Sequence, residues 1–170
     1  MTVIVFDGNT LAVDRSAVSG GVMHTIDKSA RIIGRALVMA GTGDAAKVQL
    51  MMKWYLSERD MHGRKIPDEM VGGMTQAELI LCHRIHNETR IARYDGSPTP
   101  IDHGCVQCAF GEGRDFAYGA LEMGASALQA AQIACKYSPY CGGGIDLYRY
   151  DLSTEVFLHK HYQETHDEVR

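Results

Sequence analysis

The chain has no excess of basic residues. Lysine and arginine number 17 against 21 aspartates and glutamates, a net charge of −4. A surface that grips phosphates needs a basic face, so a nucleic-acid binder is excluded. There is no apolar run approaching the roughly 20 residues of a membrane-spanning helix. No basic segment leads into a short apolar one at the start, so no secretory signal is expected. Nor is there a disulfide framework. Five cysteines is an odd number without the spacing of a stapled scaffold, which points to free thiols in a reducing cytoplasm. Cys105-Val-Gln-Cys108 with His103 lacks the second pair that would close a four-ligand zinc site, so core thiols are the expectation and no metal is assigned. Gly41-Thr-Gly-Asp44 lacks the lysine of a phosphate loop, and no cofactor is assigned. Low-complexity tracts are missing, and only Gly63 to Gly73 and Gly96 to Pro100 read as substantial loops. What remains is 170 residues, 45% hydrophobic and 22% charged, long enough for one well-packed domain spanning 1–170.

The most informative stretch is the beginning. Val3 to Phe6 is a short apolar run rich in β-branched residues, and Leu11 to Asp14 returns from it. Asp7-Gly8 between them is a strong hairpin signal, because a tight type I′ turn needs positive φ at both central positions. Thr2 therefore starts one arm and Asp14 ends the other. An initiator methionine before a small residue is commonly trimmed, which would leave a threonine bearing both a hydroxyl and a free α-amine. That pair is a nucleophile and its own base.

Further along, Arg15 to Gly21 reads as a turn and Val22 to Ile26 as a short strand. Ile32-Ile33 and Ala36 to Ala40 read as buried strand pieces broken by Gly41-Thr-Gly-Asp44. A helix follows, capped by Thr42 or Asp44, with Val48, Met51, Met52 and Tyr55 at i, i+3, i+4, i+7 on a face expected in the core. Asp60 to Thr75 gives no clear signal. Ala77 to His83 and Thr89 to Tyr94 read as two strands joined through Asn87-Glu88, although Thr75-Gln-Ala-Glu78 resembles a capping box. Asp95-Gly96 and Pro98-Thr-Pro100 make a turn. Val106 to Phe110 is a strand running into Gly111-Glu-Gly113. Two helices with small-residue faces come next, the second capped by Ser126 with Gln129. Ile145 to Tyr150 and Glu155 to Leu158 close the pattern as strands. The tail histidines His159, His161 and His166 read as solvated or interface residues. Strands and helices are segregated, so the fold class is α+β, with packed antiparallel sheets and helices outside them.

Four stretches together resemble one family. Asp7-Gly-Asn-Thr-Leu-Ala-Val-Asp-Arg15, Gly41-Thr-Gly-Asp44, the segment Gly111 to Gly124 with its Gly-Ala-Leu-Glu-Met-Gly run, and Ser138-Pro-Tyr-Cys-Gly-Gly143 are similar, in order, to segments of proteasome β-subunits and HslV. The likeness is to the N-terminal-nucleophile hydrolases, nearest to the short HslV-like proteins of bacteriophages. It implies a four-layer αββα sandwich, a homo-oligomeric ring and hydrolysis of peptide or amide bonds. By resemblance Thr2 would be the nucleophile, Asp14 the orienting carboxylate, Lys28 the ammonium that lowers the amine's pKa from about 7.7–8.0, and Gly41 the oxyanion donor. Glu112 stands where the family has the serine of Gly-Ser-Gly. Ser138 and Cys141 stand where it has an aspartate and a serine flanking the N-terminus. The Thr2–Asp14 interval is about four residues shorter than in well-known members, enough to displace Thr2 by about 13 Å unless the pairing adjusts. Two readings stay open: a threonine-type peptidase acting on a peptide or protein substrate, and an inactive relative serving as a scaffold or inhibitor. Neither a substrate nor an ATPase partner can be named from the residues.

Overall fold

The structure is a computed structural model that describes residues 2–19, 21–32, 35–57, 77–95 and 99–163. Met1, Asp60 to Thr75, most of the Gly96–Pro100 turn and His166 lie outside those residues. The first sheet runs, edge to edge, β10 (Cys108–Gly111), β1 (Val3–Phe6), β2 (Thr10–Asp14), β11 (Ile145–Asp151) and β12 (Val156–Tyr162). The second runs β5 (Ser29–Ile32), β6 (Leu37–Gly43), β7 (Ala77–Ile85), β8 (Glu88–Tyr94) and β9 (Ile101–Gly104). Every pairing is antiparallel. A two-stranded ribbon, β3 (Ser16–Ser19) with β4 (Val22–Thr25), stands apart from both sheets. Helix α1 (Ala45–Ser57) covers the second sheet, and α2 (Arg114–Glu122) and α3 (Ala127–Tyr137) cover the first.

The layering follows from strand alternation. In β1, Val3 and Val5 face α2 and α3, while Ile4 and Phe6 face the second sheet. A strand covered on both faces reads as a continuous apolar run, and all four residues are buried. Between the sheets Ile4, Phe6, Leu11 and Val13 pack with Val38, Ala40, Ile80 and Ile91. Met51, Met52, Trp54 and Tyr55 of α1 bury against Leu79, Leu81 and Tyr94. Ala127, Ala130, Ala131 and Ala134 let α3 lie close on the first sheet. The result is the four-layer αββα sandwich.

Several local expectations change. Asp7 does not take positive φ, so the first turn is not type I′. Its carboxylate organises the turn instead: Oδ1 accepts the amides of Asn9 at 3.0 Å and Thr10 at 2.8 Å. Oδ2 accepts the Ala127 amide at 2.8 Å, pinning the hairpin to the start of α3. Positive φ at both central positions occurs at His86 (48°) and Asn87 (66°), between Ile85 and its partner Glu88. Arg15 to Gly21 is not a plain turn, since Ser16–Ser19 forms β3. Strand β9 had no clear sequence signal, because Ile101-Asp-His-Gly104 has no alternating apolar pattern. Gly41-Thr-Gly does not break β6, which continues through Gly43. A Cβ on Gly41 would lie 2.1 Å from Val48 Cγ1, so this glycine admits α1 rather than ending the strand. Asp44, not Thr42, caps α1 by accepting the Lys47 amide at 3.0 Å. The Ser126–Gln129 capping box forms with both of its bonds.

Candidate active site

Asp14 closes β2 opposite Ile145, and the sandwich leaves its side chain no access to water. Oδ1 accepts from Lys28 Nζ at 2.8 Å and from the Val3 amide at 2.9 Å. Oδ2 accepts from the Gly142 amide at 3.1 Å and the Ser16 amide at 3.3 Å. Lys28, 7% exposed, reaches it from the segment entering β5. Burial pushes the Asp14 carboxyl up and the Lys28 ammonium down, while the attraction between them opposes both shifts. The geometry thus joins two residues fourteen positions apart into one buried ion pair.

Thr2 is 2% exposed and lines a cleft of about 260 Å³ with Lys28, Gly41, Gly43, Val48 and Gln49. The Thr2–Val3 peptide group is held at both ends. Its carbonyl accepts the Gly113 amide at 3.2 Å, and its N–H is the one bound by Asp14. Gly111 permits this contact, because at φ +86° a Cβ would lie 2.3 Å from the Thr2 oxygen. The short first arm therefore does not carry Thr2 away from Lys28.

The remaining sequence candidates fall elsewhere or behave differently. Gly41 lines the cleft, but its amide donates to the Lys28 carbonyl at 3.0 Å as the β5–β6 ladder continues past Ser29 and Ala40. Glu112 is exposed and does not line the cleft, since the turn is held by the flanking glycine backbones. Ser138 ends α3, and its hydroxyl accepts from the Tyr140 amide at 3.3 Å and from Cys141 Sγ at 3.6 Å. Burial pushes the Cys141 thiol up to about 11, so it is not a thiolate at neutral pH. Its sulfur packs on Gly113, where a Cβ would meet it at 2.8 Å. Sequence reasoning missed the backbone donors Gly113 and Gly142, whose glycine runs were the available signal. His159 and His161 are exposed, as their reading as solvated residues expects, and both hydrogen-bond Asp146 Oδ1, at 3.0 and 3.1 Å. Cys105 is exposed and Cys108 buried. Among the described residues no three side chains are grouped to hold a metal, and no helix is long and apolar enough to cross a membrane.

This architecture is that of the proteasome-like N-terminal-nucleophile hydrolases. The chain is similar to a Gly-1 mutant of Anbu from Hyphomicrobium sp. strain MC1, with TM-score 0.71 and 16% identity over 98% of this chain and 88% of that one. It is also similar to BPH from Thiobacillus denitrificans in complex with epoxomicin, with TM-score 0.63 and 16% identity over 86% of this chain and 96% of that one. At that identity the likeness is one of fold. No protein-family profile and no curated protein matches the chain.

Proposed function

We propose that the chain is a threonine-type hydrolase of peptide or amide bonds, active once Met1 is removed. The observation that carries this reading is the buried Asp14–Lys28 pair at 2.8 Å, whose lysine lines a cleft together with Thr2. The α-amine of Thr2 takes the hydroxyl proton through a water molecule, and Oγ attacks the scissile carbonyl. Lys28 keeps positive charge beside the amine and lowers its pKa, and Asp14 holds Lys28 in place. Because the Gly41 amide is bound within the sheet, we assign oxyanion stabilisation to the Gly43 amide. Strand alternation turns Gly43 toward the same edge, and it lines the cleft beyond the start of β5. The tetrahedral intermediate collapses to a Thr2 ester as the amine departs with a proton, and water then hydrolyses the ester.

The functional form on this reading is a cytoplasmic homo-oligomeric ring of the short, phage-type HslV-like kind, enclosing its peptide substrate. Exposed Phe116, Tyr118, Met123 and Tyr137 on α2, α3 and their junction supply apolar surface for such contacts. Intact-mass measurement should show loss of Met1 and one covalent adduct on Thr2 after treatment with an epoxyketone. Thr2→Ala should abolish both the adduct and peptide turnover while leaving the circular dichroism spectrum unchanged. A retained Met1 with no turnover of a peptide library would overturn the reading.

A further inference from the structure

The cleft beside Thr2 has a charge balance of its own. Among the described residues its charged lining is Asp27, Lys28 and Asp44. Two of the three are already neutralised. Lys28 Nζ is held by Asp14 at 2.8 Å, and Asp27 is held by Arg15 at 2.6 Å. Asp44 is exposed at the start of α1, and its Oδ1 accepts the Lys47 amide at 3.0 Å. Its Oδ2 has no partner among the described residues. A helix N-terminus carries about half a positive charge, so capping α1 offsets only part of this carboxylate. The cleft therefore keeps one uncompensated anion, at its mouth. The walls beside it are short and apolar: Ala17, Val18, Ile26, Ala45 and Val48. At about 260 Å³ the space falls below the range of whole-ligand pockets and suits a single side chain. For Thr2 Oγ to attack, the scissile carbonyl carbon must lie about 3–3.5 Å away. The side chain on that acyl residue is then the one that enters a cleft lined by Thr2.

We infer that the cleft selects a lysine or arginine on the residue whose carbonyl is attacked, and that Asp44 is the specificity-determining residue. This deepens the hydrolase reading and rests on it. The aliphatic stem lies against Val18, Ile26 and Val48, and the cationic head meets Asp44 Oδ2. Long cationic side chains suit such a site, because they cover apolar surface with their methylenes while the charged end stays in water. A leucine gains the walls but no ion pair. A glutamate brings its charge against Asp44 and is repelled.

The test measures kcat/KM of the full chain, freed of Met1, for acetyl-Ala-Ala-X aminomethylcoumarin amides. X is arginine, its neutral isostere citrulline, leucine or glutamate. Arginine should exceed citrulline about tenfold, the worth of one charge-assisted hydrogen bond, and glutamate should be poorest. In Asp44→Asn the arginine-to-citrulline ratio should fall to near one. Asparagine caps a helix as well as aspartate does, so α1 is kept, and the urea midpoint verifies it. Equal rates for arginine and citrulline, a lead for leucine over arginine, or a ratio that Asp44→Asn leaves intact would overturn the proposal. The preference is also read without turnover, from the anisotropy of fluorescein-labelled Ala-Ala-Arg-Ala and its citrulline counterpart on the Thr2→Ala chain. If no substrate is cleaved, yet the arginine peptide binds more tightly and Asp44→Asn removes the difference, the cationic site stands and the hydrolase reading alone falls. Epoxyketone labelling of Thr2 with no arginine preference in either assay sinks the specificity and leaves the hydrolase reading.

Discussion

At Asp14 a single carboxylate takes three backbone amides and an ammonium, and the consequences of removing a partner can be ordered. Lys28→Ala leaves a fully buried carboxylate with only the Val3, Ser16 and Gly142 amides. Breaking a buried pair by deleting one member destabilises by on the order of 3 kcal/mol, because the remaining charge is left uncompensated. Lys28→Ala should therefore lower the urea midpoint as well as abolish turnover, whereas Thr2→Ala should affect turnover alone. Thr2, Asp14 and Lys28 could be picked out of the chain because the segments around them resemble those of a known family, even though the Thr2–Asp14 interval is about four residues shorter here. The donors to Asp14 and to the Thr2 carbonyl could not. They are backbone N–H groups of Gly142 and Gly113, and a backbone amide has no letter of its own in a sequence. For the same reason Gly41 was assigned a free amide that the β5–β6 ladder already binds.

Elements meet here through close approaches that only small residues allow. Gly41→Ala would force a Cβ to 2.1 Å from Val48 Cγ1, and overpacking of that kind costs about 1–3 kcal/mol. Adding Val48→Ala should recover part of the loss, a non-additivity readable from urea midpoints of the single and double variants. Asp7 ties elements in another way, since one carboxylate closes the first turn and caps α3. Asp7→Ala should lower stability by about 1–2 kcal/mol, more than an exposed turn substitution would. Asp7-Gly8 was legible as a turn, but its type was not. The carboxylate's second partner, Ala127, lies 120 positions away, and that contact helps select an Asx turn over type I′. The ribbon strand β3 was hidden for a related reason. It is short, polar at both ends and, among the described residues, pairs only with β4, so no apolar alternation marked it.

Across the whole molecule, acid stability follows from where the sandwich puts its histidines. Burial holds His83 and His103 below the ordinary histidine value of 6.5. A group depressed in the folded state binds fewer protons there than in the unfolded chain. Its contribution to stability is complete above 6.5 and is lost as the pH falls toward the folded value. Melting temperature should therefore decline between pH 7 and 5, and His83→Phe should flatten that decline. By itself the sequence determined the segregated α+β pattern, the four-layer sandwich through its resemblance, and the candidate residues Thr2, Asp14 and Lys28 of the proposed site. Those depend on local periodicity and on spacing along the chain. Only the tertiary structure decided that Asp14 and Lys28 are a buried pair and which amides hold Thr2 and Asp14. Those depend on the register in which β1 meets β10 and β2 meets β11, which brings residues more than 100 positions apart within a hydrogen bond of one another.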